Sequence, residues 1–203
     1  MTGLSALCLV TAFAVLPRLA EAQRFDVDGS VGWSSSAWRL AASAEWHPWP
    51  GNRLDLSAGV RLSYYQGDAK SYRNQGPVTS ELPDRLLIDP SVWGLNLMVS
   101  GRLRLFRRLA FGANIDLAGV AGGPERPGAV TLKPARGSLL LYGDRDRGSL
   151  NSEFFLAVTV SDGLEVRGGA SHYVVGYRAS DGAADTRYLR FDTVPFLALR
   201  IRP

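Results

Sequence analysis

Cysteine and histidine are scarce in this 203-residue sequence, which contains one Cys and two His. Cys8 has no second cysteine with which to form a disulfide bond, and His47 and His172 stand too far apart in the sequence to suggest a metal site. We therefore expect no metal, no cofactor and no disulfide bond in the protein. Because His47 precedes Pro48 in a turn-like segment, we interpret it as a solvated turn residue.

The sequence also lacks an apolar run long enough to form a transmembrane helix. Residues 4–16 (LSALCLVTAFAVL) are apolar but too few, since such a helix needs about 20 residues. The A-x-A pattern of a signal-peptidase site follows at Ala20-Glu21-Ala22. We predict that residues 1–22 are a secretory signal peptide and that residues 23–203 form one exported domain.

An excess of charge of one sign is missing as well, because 23 Lys and Arg side chains are nearly balanced by 19 Asp and Glu. The two signs are interspersed along the chain rather than gathered into a basic stripe. Proteins that bind nucleic acid usually carry such a stripe, so we expect no nucleic-acid partner.

Alternation with a period of two is what the sequence has in abundance. In FDVDGSVGW (25–33), apolar residues and glycine hold the odd positions, while Asp, Ser and Gly hold the even ones. This period indicates a β-strand whose two faces meet different environments. Eight segments show it: 25–33, 38–46, 53–64, 93–105, 109–119, 152–160, 164–174 and 189–201.

The connections between these segments alternate in length. Tight turns follow the second, fourth and sixth segments, whereas the two long connections, 66–90 and 120–150, follow the third and fifth. In an up-and-down antiparallel sheet this order places every tight turn at one end. Bacterial outer-membrane barrels show that asymmetry, with short periplasmic turns and long external loops. The sequence therefore predicts an all-β fold, an eight-stranded antiparallel up-and-down transmembrane β-barrel.

The two faces of the segments differ completely in charge. The apolar face carries no Asp, Glu, Lys or Arg, as lipid requires, because one Arg or Lys facing lipid near the midplane costs about 2–4 kcal/mol. We predict that the charges of the opposite face point into the lumen and form ion pairs. The acidic members are Asp26, Asp28, Glu45, Asp55, Asp116, Glu153, Glu165 and Asp192. The basic members are Arg39, Arg53, Arg61, Arg102, Arg104, Arg167, Arg190 and Arg200.

The strand order brings some of these charges close together. The first and last strands must meet where the barrel closes, and the third strand neighbours the fourth. The predicted contacts are Asp26 and Asp28 with Arg200 and Arg202, and Asp55 with Arg102 or Arg104.

Large aromatic residues fall at the two ends of the predicted strands. Amphipathic rings prefer the membrane interfaces and form a belt at each. The predicted loop-end belt comprises Trp33, Trp38, Tyr64 and Trp93, and the predicted turn-end belt comprises Trp46, Trp49 and Phe106.

Over residues 24–203, in patterns such as FDVDGSVGW and RLDLSAGVRL, the chain resembles the small eight-stranded outer-membrane β-barrel proteins of the OmpA and OmpX type. The resemblance implies a bacterial outer-membrane protein, and such families include a few lipid-modifying enzymes. We expect this chain to have no enzymatic activity. Its long loops would serve envelope or surface interactions. We expect a monomer in contact with outer-membrane lipid and lipopolysaccharide, with its loops available to an extracellular partner.

The last segment differs from the pattern of such barrels in two ways. Pro195 lies within the segment and cannot donate to a ladder, so we predict a β-bulge there, with Val194 and Phe196 pointing inward. The chain also ends in Ile201-Arg202-Pro203, whereas these barrels usually end in an aromatic residue.

Two other functions remain open at this point. Lipid A deacylases of the PagL type carry a lipid-facing His-x-Ser pair, and His172 is placed similarly, but Val174 stands where the nucleophilic serine would be. A soluble periplasmic lipocalin-like barrel is the second alternative. In that barrel the apolar face would line an internal cavity and the ion pairs would lie outside.

Overall fold

The computed structural model describes residues 25–49, 51, 53–80, 82–127, 130–140, 149–179 and 186–202. The predicted signal peptide, residues 1–22, lies outside this described part. No helix among the described residues is long and apolar enough to cross a membrane.

The described residues form twelve β-strands, eight of them long and four short. The eight predicted segments form the long strands. Parts of the connections 66–90 and 120–150 form the four short strands. In chain order they are β1 (Phe25–Ser34), β2 (Ala37–Trp49), β3 (Leu54–Gly67), β4 (Lys70–Asn74), β5 (Arg85–Ile88), β6 (Ser91–Arg104), β7 (Leu109–Gly122), β8 (Leu132–Pro134), β9 (Gly137–Leu139), β10 (Leu150–Ser161), β11 (Leu164–Ala179) and β12 (Arg187–Ile201).

The eight long strands close into a barrel in which each strand is antiparallel to both of its neighbours. The strands follow one another in chain order, and β12 returns to pair with β1, so that Asp28 lies opposite Arg200. The tight turn between β10 and β11 contains Gly163, whose φ of 99° favours glycine. The predicted eight-stranded antiparallel up-and-down barrel is thereby confirmed.

The apolar face of the strands is on the outside of the barrel and the charged face is on the inside. Leu56, Leu97 and Leu197 are 41%, 59% and 48% exposed, whereas Arg61 and Asp116 are only 2% and 1% exposed. A lipocalin-like barrel would have the reverse arrangement. This alternative is therefore wrong for the described barrel.

The end of β7 departs from the predicted alternation. Leu97 pairs with Ala118 but Met98 pairs with Asp116, so Leu117 is an extra residue in a bulge. Beyond the bulge the faces exchange, and Val120 points outward. The predicted segment ended at residue 119 and placed Gly119 on the outer face, whereas a Cβ atom there would meet the lumen side chain of Asn96.

The last strand, in contrast, has no bulge at Pro195. The β11–β12 ladder runs without a shift from Arg187 to Ile201, and the prediction of a bulge is wrong. Pro195 lies one residue beyond the β1–β12 ladder, which ends at the pair Gly32–Phe196. Its missing N–H group therefore removes no hydrogen bond to β1.

An inward-facing phenylalanine, Phe155, packs inside the lumen. Phe155 is buried and lies opposite Gly112 on one neighbouring strand and Gly169 on the other. A Cβ atom at Gly112 would overlap the Phe155 ring. The ring also carries the Arg167 guanidinium above it, 4.7 Å from the ring centroid. Glycine on the neighbouring strands thus makes room for an aromatic ring inside a narrow barrel.

The four short strands extend the barrel at its loop end. Strands β4 and β5 form a hairpin that pairs with the outer part of β12, β8 pairs with β11, and β9 pairs with β7. The predicted loops 66–90 and 120–150 are therefore partly regular structure packed on the barrel.

Candidate functional site in the lumen and at the loop end

A cluster of ion pairs fills the turn-side half of the lumen, near the point where the barrel closes. Arg200 lies 3.4 Å from Asp26 and 3.9 Å from Asp28, and it also forms an ion pair with Glu45. Arg167 pairs with Asp28 and approaches Glu45 at 3.9 Å. All five side chains are buried. They join strands β1, β2, β11 and β12 across the closure of the barrel.

Arg202, the residue after the end of β12, adds a further ion pair between the last strand and β1. Its Nη2 lies 3.1 Å from Oδ2 of Asp26, and its Nε donates to Oδ1 of the same carboxylate at 3.1 Å. The hydrogen bond with Asp26 raises the pKa of Arg202 above its usual range. Asp26 thus contacts both arginines that the sequence placed beside it.

His47 belongs to this cluster, and its interpretation as a solvated turn residue is wrong. The ring is buried, with Nε2 3.1 Å from Asp26 and Nδ1 3.0 Å from Asp55. The β2–β3 ladder shifts its register between Trp46 and Trp49, and β2 continues through His47 instead of ending before it.

The predicted contact of Asp55 with an arginine also differs from the observed one. Asp55 lies opposite Arg102 in the β3–β6 ladder, but its hydrogen-bond partner is His47. Arg102 reaches instead to Glu165 on β11, 3.0 Å away. Side chains in this lumen therefore pair across the barrel as well as between neighbouring strands.

The centre of the lumen contains a second cluster, organised around Glu153. Its two carboxylate oxygens accept hydrogen bonds from Arg39 at 2.6 Å and from Arg61 at 3.0 Å. Arg61 also donates to Asp116, 3.0 Å away, and Asn114 donates to Glu153 at 2.8 Å. Because these residues come from β2, β3, β7 and β10, their side chains reach across the interior from opposite walls.

Four of the predicted lumen residues lie at the ends of the barrel instead. Arg53 and Arg104 are exposed at the turn end. Arg190 donates to the backbone carbonyl of a loop-end strand, and Asp192 pairs with Lys70 at 2.7 Å. Alternation alone does not tell where a strand extends past the lumen, so the sequence placed these residues too deep.

Aromatic residues close the loop end of the lumen. The rings of Tyr65 and Tyr173 stack with centroids 4.9 Å apart, and Tyr72 of the β4–β5 hairpin meets Tyr177 edge-on at 5.8 Å. Burial raises the pKa of the Tyr72 hydroxyl above its usual range. This loop-end cap is a buried apolar cluster formed by Ala37, Tyr65, Tyr72, Ile88, Val92, Ala121, Val130, Leu132, Tyr173, Val175, Tyr177, Ala179, Tyr188 and Val194. The alternation pattern did not indicate it, because its parts come from both long connections and from several long strands.

The predicted interface aromatics whose side chains are described lie on the outer face of the barrel, except Phe106, which is exposed in the β6–β7 turn. Tyr64 is partly buried, and the side chain of Trp49 lies outside the described part of the structure. The exposed members are Trp33, Trp38, Trp46, Trp93 and Phe106. Phe191, which was not among the predicted residues, is also on this face and is 67% exposed. Its odd position in the last strand is the signal that would have identified it.

His172 faces outward, and its neighbours are a hydroxyl group and an aromatic ring. Its Nδ1 lies 2.8 Å from Oγ1 of Thr193, and its ring meets Phe154 at 6.0 Å between centroids. No carboxylate forms an ion pair with His172 among the described residues. A hydroxyl–imidazole pair without a third group to orient the imidazole lacks part of the arrangement that activates a nucleophile. No group of three His, Cys, Asp or Glu side chains in the described structure is suited to hold a metal ion.

Comparisons with known proteins gave matches in structure only. No protein-family model and no curated protein sequence matches the chain. Neisserial surface protein A matches with 12% identity and a TM-score of 0.44, covering 89% of this chain and 95% of its own. The Yersinia pestis outer-membrane protein Ail, in a phospholipid bilayer nanodisc, matches with 9% identity and a TM-score of 0.45, covering 89% and 99%. A major outer-membrane protein from Thermus thermophilus matches with 13% identity and a TM-score of 0.34, covering 87% and 99%.

Proposed function

We propose that the protein is a non-enzymatic β-barrel of the bacterial outer membrane whose loop-end cap faces the outside and serves envelope or surface interactions. The observation that carries this proposal is the division between an apolar exterior and a charged, filled interior. In water, the outer leucines would form a continuous apolar surface of a kind that soluble monomers rarely expose. In lipid, the same surface is in its preferred environment.

The lumen supports a structural role for the barrel. Glu153 is held by arginines from two strands, and its cluster reaches across the interior. An eight-stranded barrel has an interior that side chains just fill. The surface left for interaction is therefore the loop end, where the β4–β5 hairpin and the connection around β8 and β9 extend beyond the barrel.

Cell fractionation combined with gel electrophoresis tests the membrane location. We expect the protein in the outer-membrane fraction, extracted only by detergent, with a band that migrates faster before boiling than after it. Release into buffer without detergent would contradict the proposal. Mobility that does not change on boiling would also count against a folded barrel.

Cysteine labelling tests the orientation, because the sequence contains only Cys8. In a Cys8→Ser background, Val78→Cys places one thiol on the exposed connection between β4 and β5, and Phe106→Cys places one in the β6–β7 turn. We expect an impermeant maleimide to label Val78→Cys on intact cells and to label Phe106→Cys only after the outer membrane is opened. The reverse result would show that the cap faces the periplasm.

A further inference from the structure

Three arginines line a cavity of about 510 Å³ at the loop end. Arg73 and Arg85 come from the β4–β5 hairpin and Arg190 comes from β12, while Leu189 and Phe191 form the apolar side. We call this group of five residues the arginine notch. Ser71 and Gln75 complete its lining, which contains no acidic side chain among the described residues.

The position of these arginines is unfavourable for the hairpin alone. Arg73 lies directly opposite Arg85 in the β4–β5 ladder, and like charges in that position destabilise a sheet. Asp84 lies 3.7 Å from Arg85, but both side chains are more than half exposed, so the pair contributes little. Asp192, the nearby acid of β12, is paired with Lys70 and also interacts electrostatically with Arg190, so it does not neutralise Arg73 or Arg85. An anion bound between the two arginines would offset their repulsion.

Arg190 lies where the sheet has a gap next to β12. In the described ladders β12 pairs with β4 at residues 188–189 and with β1 at residues 196–201, so the stretch between them pairs with β11 alone. The Arg190 side chain donates from Nη1 to the carbonyl of Ser71 on β4 at 3.1 Å. Its Nε is buried without a hydrogen-bond partner. The hydrogen bond to Ser71 thus holds the guanidinium beside the notch.

In the proposed orientation, the notch lies near the outer membrane interface. Phe191 precedes Ile201, at the turn end of its strand, by as many residues as the belt residue Trp93 precedes Leu103 near the turn end of β6. Below Phe191 the outer face of β12 continues with exposed Leu197. The three guanidinium groups lie toward the loop end, where the phosphate groups of outer-leaflet lipids are expected.

We propose that the arginine notch binds the phosphate group of an anionic lipid of the outer leaflet, with the acyl chains lying against Phe191 and the face of β12 below it. Arginine suits this ligand because its planar donors match phosphate oxygens in a bidentate manner. The proposal rests on the proposed membrane location and orientation, and it assigns a lipid-binding site to the outward-facing end.

Lipid retention in nanodiscs tests the notch. The refolded mature chain is placed in phosphatidylcholine nanodiscs that contain a small fraction of bisphosphorylated lipid A or of dephosphorylated lipid A, and retained lipids are counted by native mass spectrometry. The test variant is Arg73→Gln/Arg85→Gln/Arg190→Gln. The control, Arg53→Gln/Arg107→Gln/Arg108→Gln, removes the same charge from exposed arginines at the turn end.

We expect phosphorylated lipid A to be retained about tenfold more than the dephosphorylated form, as charge-assisted hydrogen bonds to phosphate would give. The test variant should lose this preference and the control should keep it. Equal retention of both lipids, or an equal loss in both variants, would overturn the proposal. If millimolar inorganic phosphate in the buffer abolishes retention and itself binds the protein, the ligand is free phosphate and the assignment to lipid is wrong.

The gel-mobility assay shows whether each variant forms a barrel. If the triple variant does not fold, the single variant Arg85→Gln, whose side chain is exposed, takes its place and should reduce the preference about threefold. A correctly folded variant that retains phosphorylated lipid like the native chain refutes the notch but leaves the proposed membrane location intact. A native chain that does not enter the nanodisc would instead refute the proposed function.

Discussion

Neutralising Glu153 is the sharpest test of the charged lumen. Its carboxylate accepts hydrogen bonds from Arg39, Arg61 and Asn114 at 2.6, 3.0 and 2.8 Å. Glu153→Gln keeps the size of the side chain but leaves the fully buried Arg39 without a charged partner. Removing one member of a buried ion pair costs about 3–5 kcal/mol. Because Arg61 retains Asp116, we expect a loss in the free energy of unfolding of about 3 kcal/mol, at the lower end of that range.

Reversible unfolding by guanidinium in phosphatidylcholine vesicles, followed by tryptophan fluorescence, measures this loss. The matched control is Glu125→Gln, which removes an ion pair with Lys133 (2.8 Å) in which both side chains are about half exposed. An exposed pair is worth about 1 kcal/mol at most. In an Arg39→Met background, the cost of Glu153→Gln should fall, because the guanidinium that it would strand is gone.

An effect of Glu153→Gln no larger than that of Glu125→Gln would refute this reasoning, provided that the gel shift still reports a folded barrel. Equal costs of Glu153→Gln in the native and Arg39→Met backgrounds would show that the two side chains are not coupled. Either result would mean that water, rather than the opposing charge, satisfies the lumen arginines.

Three further substitutions probe the exterior, the packing inside and the absence of catalysis. Leu97→Arg on the outer face should cost about 2–4 kcal/mol in vesicles, whereas Leu87→Arg on the exposed hairpin should cost less than about 0.5 kcal/mol; similar costs would mean that Leu97 does not face lipid. Gly112→Ala should destabilise the barrel by about 1–3 kcal/mol because its Cβ would overlap the Phe155 ring, and an equal cost in a Phe155→Ala background would show that this overlap is not the cause. His172→Ala should leave the mass spectrum of lipid A from expressing cells unchanged from that given by the native protein; a native-only loss of an acyl chain would reveal deacylase activity.

The barrel itself could be predicted because its main physical constraint is local in the sequence. A charged residue that faces lipid costs free energy in every strand. The sequence of each strand alone therefore indicates which of its faces is outside. Leu95 and Leu97, with Asn96 between them, suffice to assign the two faces of β6. Connection lengths then determine the order of the strands. These two signals require no knowledge of distant contacts.

The contacts inside the barrel could not be predicted in the same way, because their partners come from opposite walls. Asp55 was assigned to an arginine of the neighbouring strand, whereas a register shift at the end of β2 turns His47 toward it. The bulge at Leu117 and the regular strand through Pro195 depend on where neighbouring ladders end. Alternation reports the face on which a side chain lies, but neither its depth nor its partner.

The loop-end sites were missed for a related reason. The cap and the arginine notch combine residues from a long connection with residues of the last strands, and a polar connection resembles a solvated loop when it is considered alone. Arg73 and Arg85 lie on facing strands of a hairpin. They become part of a site only because β4 pairs with β12, which brings them next to residues of the last strand. An outward Phe191 beside them was the one signal available in the sequence.

The lumen charges are best understood as a device that fixes strand register, in addition to any stability that they contribute. A buried ion pair adds little net stability over apolar packing, because desolvation offsets most of the attraction. A slip of β3 by one residue, however, would turn Arg61 into lipid and bring Leu62 into the lumen. That slip would cost about 2–4 kcal/mol for the arginine alone, in addition to the loss of its bonds with Asp116 and Glu153. A lumen lined with leucine would impose no such penalty, since either face could then meet the lipid.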